Sequence, residues 1–230
     1  MFRSLVASFA VAILAGCGSS TTALIDAARQ QLRPAAAETA ALNPALTYLR
    51  LTNGKAVALL VLGYLDDEPQ PGTAVWYSGD KAAIRLWRGR LAGTGGLDTD
   101  WRAVRFGDVP TWRSALSAPA RYRRERDVMP GYAIAVREDV EIVHTTAPAK
   151  SALAGMATED IARLTWFEER TVPLGQAGGL PVARFAVDLS GAVERVVYSE
   201  QCLSAALCLT FQIWPAPVVA AAAARQTLPR

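Results

Sequence analysis

The chain has little of what enzymes usually work with. It carries one histidine, His144, three cysteines and three methionines in 230 residues. A nucleophilic triad needs a base, most often histidine. His144 lies in Ile142-Val143-His144-Thr145-Thr146, whose texture is that of a strand, and a histidine satisfied by its strand neighbours is the simpler reading. With so few thiols and imidazoles, no metal site and no cofactor is expected. Charge of one sign is also scarce: the formal net charge is +3, too small to argue for nucleic acid. Long apolar runs are missing. A bilayer span needs about 20 apolar residues, and the most apolar stretch, Ala56-Val57-Ala58-Leu59-Leu60-Val61-Leu62, reads as a strand. The glycine-rich Gly93-Thr94-Gly95-Gly96 lacks the Lys-Ser/Thr ending of a phosphate-binding loop. No repeat of solenoid period is visible.

What is present begins at the N-terminus. Arg3 supplies a short positive region, Leu5 to Leu14 is apolar and uncharged, and small residues follow. This is the grammar of an export signal. Leu14-Ala15-Gly16-Cys17 resembles the lipobox of bacterial lipoproteins. Small residues there let the backbone enter a peptidase cleft, and the thiol of Cys17 accepts a diacylglyceryl group. Residues 1–16 are therefore expected to be removed, and the mature chain to start at a lipidated Cys17. Removing Arg3 with the leader leaves a net charge of +2. A single acyl chain binds membranes only marginally, whereas bacterial lipoproteins carry two or three, palmitate among them. Gly18, not Asp, follows the cysteine. In this class that favours the outer membrane, with the body facing the periplasm.

Lipid on Cys17 leaves Cys202 and Cys208. An exported chain sits in an oxidising compartment, so this even pair is expected to form a disulfide closing a small loop. Residues 17–22 read as a linker, 23–215 as a single β-rich domain, and 216–230 as an alanine-rich tail, either a short helix or disordered.

Within the body, Thr22 can cap a helix over 23–32, with Pro34 at its end and a further turn or two in 35–42. From Tyr48 the texture changes to short strands. Asn53-Gly54 is a hairpin signal between 48–51 and 55–65, read as a type I′ turn. Strands follow at 73–77, 82–87 and 90–94. Further strands are expected at 120–127, 131–137, 138–146, 161–172, 182–189, 193–201 and 207–214. Residues 111–117 and the stretch after Pro148 are expected to hold short helices.

Three segments carry a family likeness. Leu49 through Leu97 pairs an apolar hairpin with Ala74-Val75-Trp76-Tyr77-Ser78-Gly79-Asp80-Lys81, then Arg88-Gly89-Arg90-Leu91-Ala92-Gly93-Thr94-Gly95-Gly96-Leu97. Trp166 to Val172 is a charged strand ahead of a last hairpin. Phe185-Ala186-Val187-Asp188-Leu189-Ser190-Gly191-Ala192-Val193 supplies that hairpin, and Ile213-Trp214-Pro215 ends the set. In this order the segments resemble the YjbF/GfcB family of lipoproteins. Ala186 departs from it, standing where the family often has Trp. The resemblance implies a mainly β fold, a curved antiparallel meander sheet or half-barrel like that of lipoprotein carriers. It also implies association with exopolysaccharide or group 4 capsule export, without catalysis.

The residues offer two non-catalytic candidates for contact. Arg121-Tyr122-Arg123-Arg124-Glu125-Arg126-Asp127 is rich in arginine. Strand alternation sets Arg121, Arg123 and Glu125 on one face and Tyr122, Arg124 and Arg126 on the other. Arg121, Arg123, Arg124 and Arg126 could hold acidic sugars or lipid headgroups, or form a charged edge that resists aggregation. Trp76, Tyr77, Trp87, Trp101 and Trp112 could stack on sugars, though packing is the plainer role. Carboxylates also occur in pairs: Asp66 with Asp67, Asp98 with Asp100, Glu138 with Asp139, and Glu168 with Glu169. Neighbours on a strand point to opposite faces, so Glu168 and Glu169 cannot share one reaction. The expected function is thus a lipid-anchored accessory in exopolysaccharide or capsule export, with the polymer or other export proteins as partners. The alternatives are a carrier of lipid in a half-barrel cavity and a glycan-cleaving enzyme. A large apolar concavity favours the carrier, and converging carboxylates the enzyme.

Overall fold

A computed structural model describes residues 39–174 and 178–220. The expected leader, Cys17, the linker and the helix over 23–32 lie outside the described residues, as does the tail beyond 220. Twelve strands follow one another: β1 (Tyr48–Asn53), β2 (Ala56–Asp66), β3 (Thr73–Tyr77), β4 (Ala83–Trp87), β5 (Arg90–Gly95), β6 (Asp100–Phe106), β7 (Ala120–Met129), β8 (Ala133–Thr145), β9 (Thr165–Pro173), β10 (Ala183–Asp188), β11 (Arg195–Cys202) and β12 (Cys208–Trp214). A 3-10 turn, Arg113–Ala115, precedes β7, and one helix, α1 (Thr158–Arg163), precedes β9.

All sequence-adjacent strands except β5 and β6 pair antiparallel, and β1 also pairs with β12. The result is an up-and-down barrel opened at one seam, between β5 and β6, the two edges of the single sheet. Unpaired edges invite other chains. Here side chains bridge the seam. Thr94 Oγ1 donates to Asp100 Oδ1 at 2.9 Å and accepts the Trp101 N–H at 3.0 Å. The Asp100 carboxylate also receives the N–H groups of Gly96 and Leu97.

The expected mainly β, antiparallel meander is what forms, closed further than a half-barrel. Several boundaries differ, each for a physical reason. Strand β6 falls in a stretch to which no element was assigned from the sequence. A bulge at Arg102 interrupts its alternation, so Trp101 and Val104 point inward at a spacing of three. Residues 131–137 and 138–146 form one 13-residue strand, β8. The first residues of the strand expected at 161–172 belong to α1, whose first turn holds Glu159 and Asp160. Residues 39–42 are coil. At the first hairpin Asn53 still pairs with Ala56, so the turn residues are Gly54 and Lys55. Gly54 has φ +58° and Lys55 is not in the left-handed region, so the turn has one such residue where type I′ needs two.

The outer face is covered on one side. Residues 150–156, α1 and residues 216–220 lie over β1, β9, β11 and β12. Gln212 holds Ala154 through both its N–H and its C=O, and Tyr198 Oη accepts the Ala152 N–H. Asp160 accepts the Val219 N–H, while Arg163 donates to the Val219 carbonyl. Leu164, Trp166, Tyr198 and Val219 pack together there, so the first residues of the alanine-rich tail belong to the body.

Cys202 and Cys208 are a directly opposed cross-strand pair and are disulfide-bonded. Closing so short a loop is worth about 2 kcal/mol through loss of chain entropy in the unfolded state. Replacing both, Cys202→Ser/Cys208→Ser, is expected to lower the free energy of urea unfolding by about that amount. An unchanged urea midpoint would show that the bridge contributes nothing.

Candidate functional site

The turn between β4 and β5 dips into the barrel. Its Gly89 has φ +81°, and a Cβ there would lie 2.4 Å from Val196 Cβ on β11, on the far side of the lumen. Only glycine lets the two backbones come this close. Gln201 of β11 completes the crossing. Its Oε1 accepts the Leu91 N–H and its Nε2 donates to the Gly89 carbonyl, each at 2.8 Å. Strand β5 is therefore buried on both faces. Leu91 joins Leu49, Trp76, Leu86, Trp101 and Phe211 on one side. Arg90 turns to the other, where Trp112, Tyr122, Phe167 and Phe185 gather.

Arg90 is 1% exposed. Its Nε donates to Glu169 Oε1 at 2.6 Å, and its guanidinium lies 3.9 Å from the Trp112 ring. Tyr122 donates to the other oxygen of Glu169 at 2.9 Å. Burial, then the charge on Glu169, push the Tyr122 phenol well above its ordinary pKa, so it stays a donor. A second cluster adjoins the first. Arg124 donates twice to Glu138 Oε2, and Arg126 twice to Oε1, at 2.7–3.0 Å. Both guanidinium groups sit 4.9 Å from the Trp101 ring. The lumen thus holds three guanidinium groups against two carboxylates, and aromatic faces take up the excess positive charge.

One end of the barrel is partly stoppered by the segment between β6 and β7. The Glu194 carboxylate accepts the N–H groups of Trp112 and Arg113, and Arg113 donates to the carbonyls of Leu189 and Gly191. This holds Trp112 down against Phe167 and Phe185. Beside the stopper a cleft of about 210 Å³ remains, walled by Leu49, Trp76, Leu86 and Phe211, with Arg88 and Glu194 at its lip. It is smaller than the usual 300–1,000 Å³ of small-molecule sites.

The flagged arginines divide as alternation requires. Arg124 and Arg126 are buried with Glu138. Arg121 and Arg123 stand outside, facing Glu141 and Asp139 across the β7–β8 ladder at 2.7 and 3.1 Å. That outer face alternates in sign: Glu125 lies between Arg105 and Arg137, and Arg184 between Glu168 and Glu200. Glu168 and Glu169 do point to opposite faces. Trp76, Trp101 and Trp112 are buried, while Tyr77 is exposed and Trp87 packs on Phe106. His144 is an exposed strand residue beside Phe167. Among the described residues no three metal-ligating side chains converge. No described helix is long and apolar enough to cross a membrane. Sequence reading missed Arg90, Glu138, Glu169 and Gln201 as one assembly. The available signal was charged residues at inward positions of alternating strands.

Fold and lumen together define an up-and-down, nearly closed antiparallel β-barrel with an ion-paired interior. A family model described as "Group 4 capsule polysaccharide lipoprotein gfcB, YjbF" matches residues 7–170, and the chain belongs to that family. A relative, the "Uncharacterized lipoprotein GfcB" of Escherichia coli (strain K12), is 29% identical over 166 residues, covering 70% of this chain and 72% of the relative. The crystal structure of the hypothetical lipoprotein YmcC from Escherichia coli (K12) shares the fold, with a TM-score of 0.57. It is 20% identical, over 86% of this chain and 94% of that one.

Two predictions follow from the buried charges. Glu138→Gln leaves two buried guanidinium groups without a counterion and is expected to cost about 3–5 kcal/mol in urea unfolding. Glu141→Gln, on the exposed face, should cost under about 1 kcal/mol, and equal losses would contradict this account of the lumen. Burial alone would raise the pKa of Asp188. The Ser190 hydroxyl and N–H and the Arg195 guanidinium outweigh it and hold the carboxyl below its ordinary value. Its stabilisation is therefore present above the unfolded-state pKa, about 3.9, and lost as pH falls through the folded-state value. Asp188→Asn should lower stability at neutral pH and flatten the acid limb of the stability–pH curve. An acid limb parallel to that of the parent protein would count against the assignment.

Proposed function

We propose that the protein is a non-catalytic accessory of exopolysaccharide or capsule production, held by lipid on Cys17 at the periplasmic face of the outer membrane. Family membership supports the polysaccharide context. The observation that carries the non-catalytic reading is the state of the carboxylates. Glycan cleavage by the two-carboxylate route needs a pair flanking a cleft, one of them free to give a proton. In the lumen Glu138 is taken by Arg124 and Arg126, and Glu169 by Arg90 and Tyr122. Glu194, at the lip of the cleft, is engaged by two backbone N–H groups.

The same packing weighs against the carrier reading. Indole, phenol and guanidinium groups occupy the space an acyl chain would need, and a wider cleft of about 440 Å³, between β6, β7 and β8, is lined mostly by charged side chains, Arg105, Arg123, Arg124, Glu125, Arg137 and Glu138. Binding through the outer surface and the loops at the barrel ends is left as the mode of action. The Arg121 and Arg123 ladder is one such surface, where an acidic polymer would compete with Glu141 and Asp139.

The anchor and the role are tested separately. Cys17→Ala should move the protein from the membrane fraction to the soluble fraction, and continued sedimentation with membranes sinks the lipidation claim. Deletion of the gene should reduce extractable surface polysaccharide, restored by the parent chain. Unchanged polysaccharide on deletion removes the accessory role, whatever the anchor does.

A further inference from the structure

The β7–β8 hairpin runs past its neighbour. Pairing of β8 with β9 begins only at Glu138 opposite Pro173, with the Leu174 N–H donating to the Arg137 carbonyl just beyond, so residues 130–136 stand free of β9. From Pro130 to Ala135 every residue is exposed and none is charged. Tyr132 is 79% exposed and Ile134 57%. Leu174 and Val182, which flank the β9–β10 connection at the same barrel end, are exposed too. Exposed apolar side chains gathered at one place on a soluble body mark an interaction site.

The tip is held in a costly shape. Tyr132 and Ala135 have φ of +53° and +56°, left-handed values that side-chain-bearing residues rarely adopt. The Ala135 N–H is fixed by Asp127 Oδ1 at 2.8 Å, and Asp127 is fixed in turn by Arg105 at 3.1 Å. Such strain persists only where surrounding contacts enforce it, and it clusters where residues are presented for function.

Charge says what the tip meets. Lys55, Lys81 and Arg102 are exposed at this end, on the β1–β2 turn, the β3–β4 turn and the start of β6. None joins an ion pair among the described residues. Asp80, which accepts from Ser78, and Asp98 are the acids beside them. The loops at the opposite end carry exposed Asp67, Glu68, Asp108 and Glu159 against Arg88 and Lys150, with Arg163 and Arg195 there paired to Asp160 and Asp188. Among the exposed groups without an ion pair, the tip end thus carries three cations against two acids beside its apolar residues, and the other end four acids against two cations. A surface that is apolar below and anionic above, as a phospholipid headgroup layer is, fits that pattern. Tyr favours the interface and lysines and arginines attract its phosphates.

We infer that the β7–β8 tip docks on an anionic bilayer surface, with Tyr132 and Ile134 entering the headgroup boundary and Lys55, Lys81 and Arg102 facing lipid phosphates. This rests on the membrane location proposed above but not on the anchor's chemistry. Docking would fix which way the barrel faces, something a lipid on a linker does not do.

The test places an environment-sensitive fluorophore on the full chain at Ile134→Cys, with Val193→Cys, on a loop of the opposite end, as control. The Cys202–Cys208 bridge leaves no other thiol in the body. Protein is read on phosphatidylethanolamine vesicles with and without a quarter phosphatidylglycerol. The position-134 label should shift to the blue and lose at least half its emission to quencher-bearing lipids. The effect should be stronger with phosphatidylglycerol and absent at 193. Tyr132→Asp should reduce it several-fold without changing the urea midpoint. A position-134 label as wet as the control overturns the inference. So does protection that persists without vesicles together with energy transfer between labelled copies, which would assign the tip to a second copy of the chain. Protection that appears only when envelope proteins are added overturns it in favour of a protein partner. The mass of the N-terminal peptide reports acylation of Cys17 independently, so a failed anchor is not mistaken for a failed tip.

Discussion

The contact between Arg90 and Glu169 decides what kind of barrel this is. A sheet of twelve strands closed on itself encloses more space than its own inward side chains readily fill. Here the sheet fills itself by sending β5 inside. The wedge needs a residue without Cβ at Gly89, a surrogate strand partner in Gln201, and a counterion waiting on β9. Without Glu169, the Arg90 charge would be buried unpaired, an arrangement costing several kcal/mol. Without the wedge, Leu91 and Arg90 would leave both halves of the lumen underpacked. The apolar cluster around Trp101 and the aromatic cluster around Trp112 are thus the two sides of one inserted strand.

Buried ion pairs are poor sources of net stability, since well-packed apolar groups often do as well. Their use here is better understood as specification. In an up-and-down meander each strand meets only its neighbours, and a slip of one residue turns a whole strand inside out. A slip of β7 would carry Arg124 and Arg126 out of the lumen and abandon Glu138. A slip of β9 would expose Glu169 and put Glu168 or Arg170 in its place, and Arg170 there would face Arg90 with like charge. The charges make wrong registers expensive where apolar alternation alone, weakened by bulges in β6, β11 and the β7–β8 pairing, would leave them close in energy.

This also explains what could be read from the chain and what could not. Hairpins with glycine turns and regular alternation were legible, as at 73–77 and 82–87, and so was the division of Arg121 and Arg123 from Arg124 and Arg126. The pairing of Cys202 with Cys208 followed from compartment and parity. Strand β6 was not legible, because one extra residue at Arg102 breaks the period on which such readings rest. Nor was the network, for its members are far apart: Arg90 and Glu169 are 79 residues apart, and Leu91 and Gln201 are 110 apart. Local pattern says that an arginine points inward; only the closed ring says which carboxylate it meets. The Arg88-Gly89-Arg90-Leu91 and Thr94-Gly95-Gly96-Leu97 run, part of the family likeness, turns out to hold the wedge and the seam.

A lumen filled in this way moves the molecule's work to its surface. One end is partly closed by the Trp112 segment tied to Glu194. The walls of the outer face are either covered by residues 150–156, α1 and 216–220, or laid out as a ladder of alternating charge. An alternating ladder is self-satisfied: each exposed arginine already faces an acid, so a polyanion gains there only what it takes from Glu141 or Asp139. The unspent features are the lip of the cleft and the strained hairpin tip. With its interior spent on fixing its own register and its unpaired groups set at opposite ends of the barrel, the chain leaves those two ends as the surfaces where binding gains most.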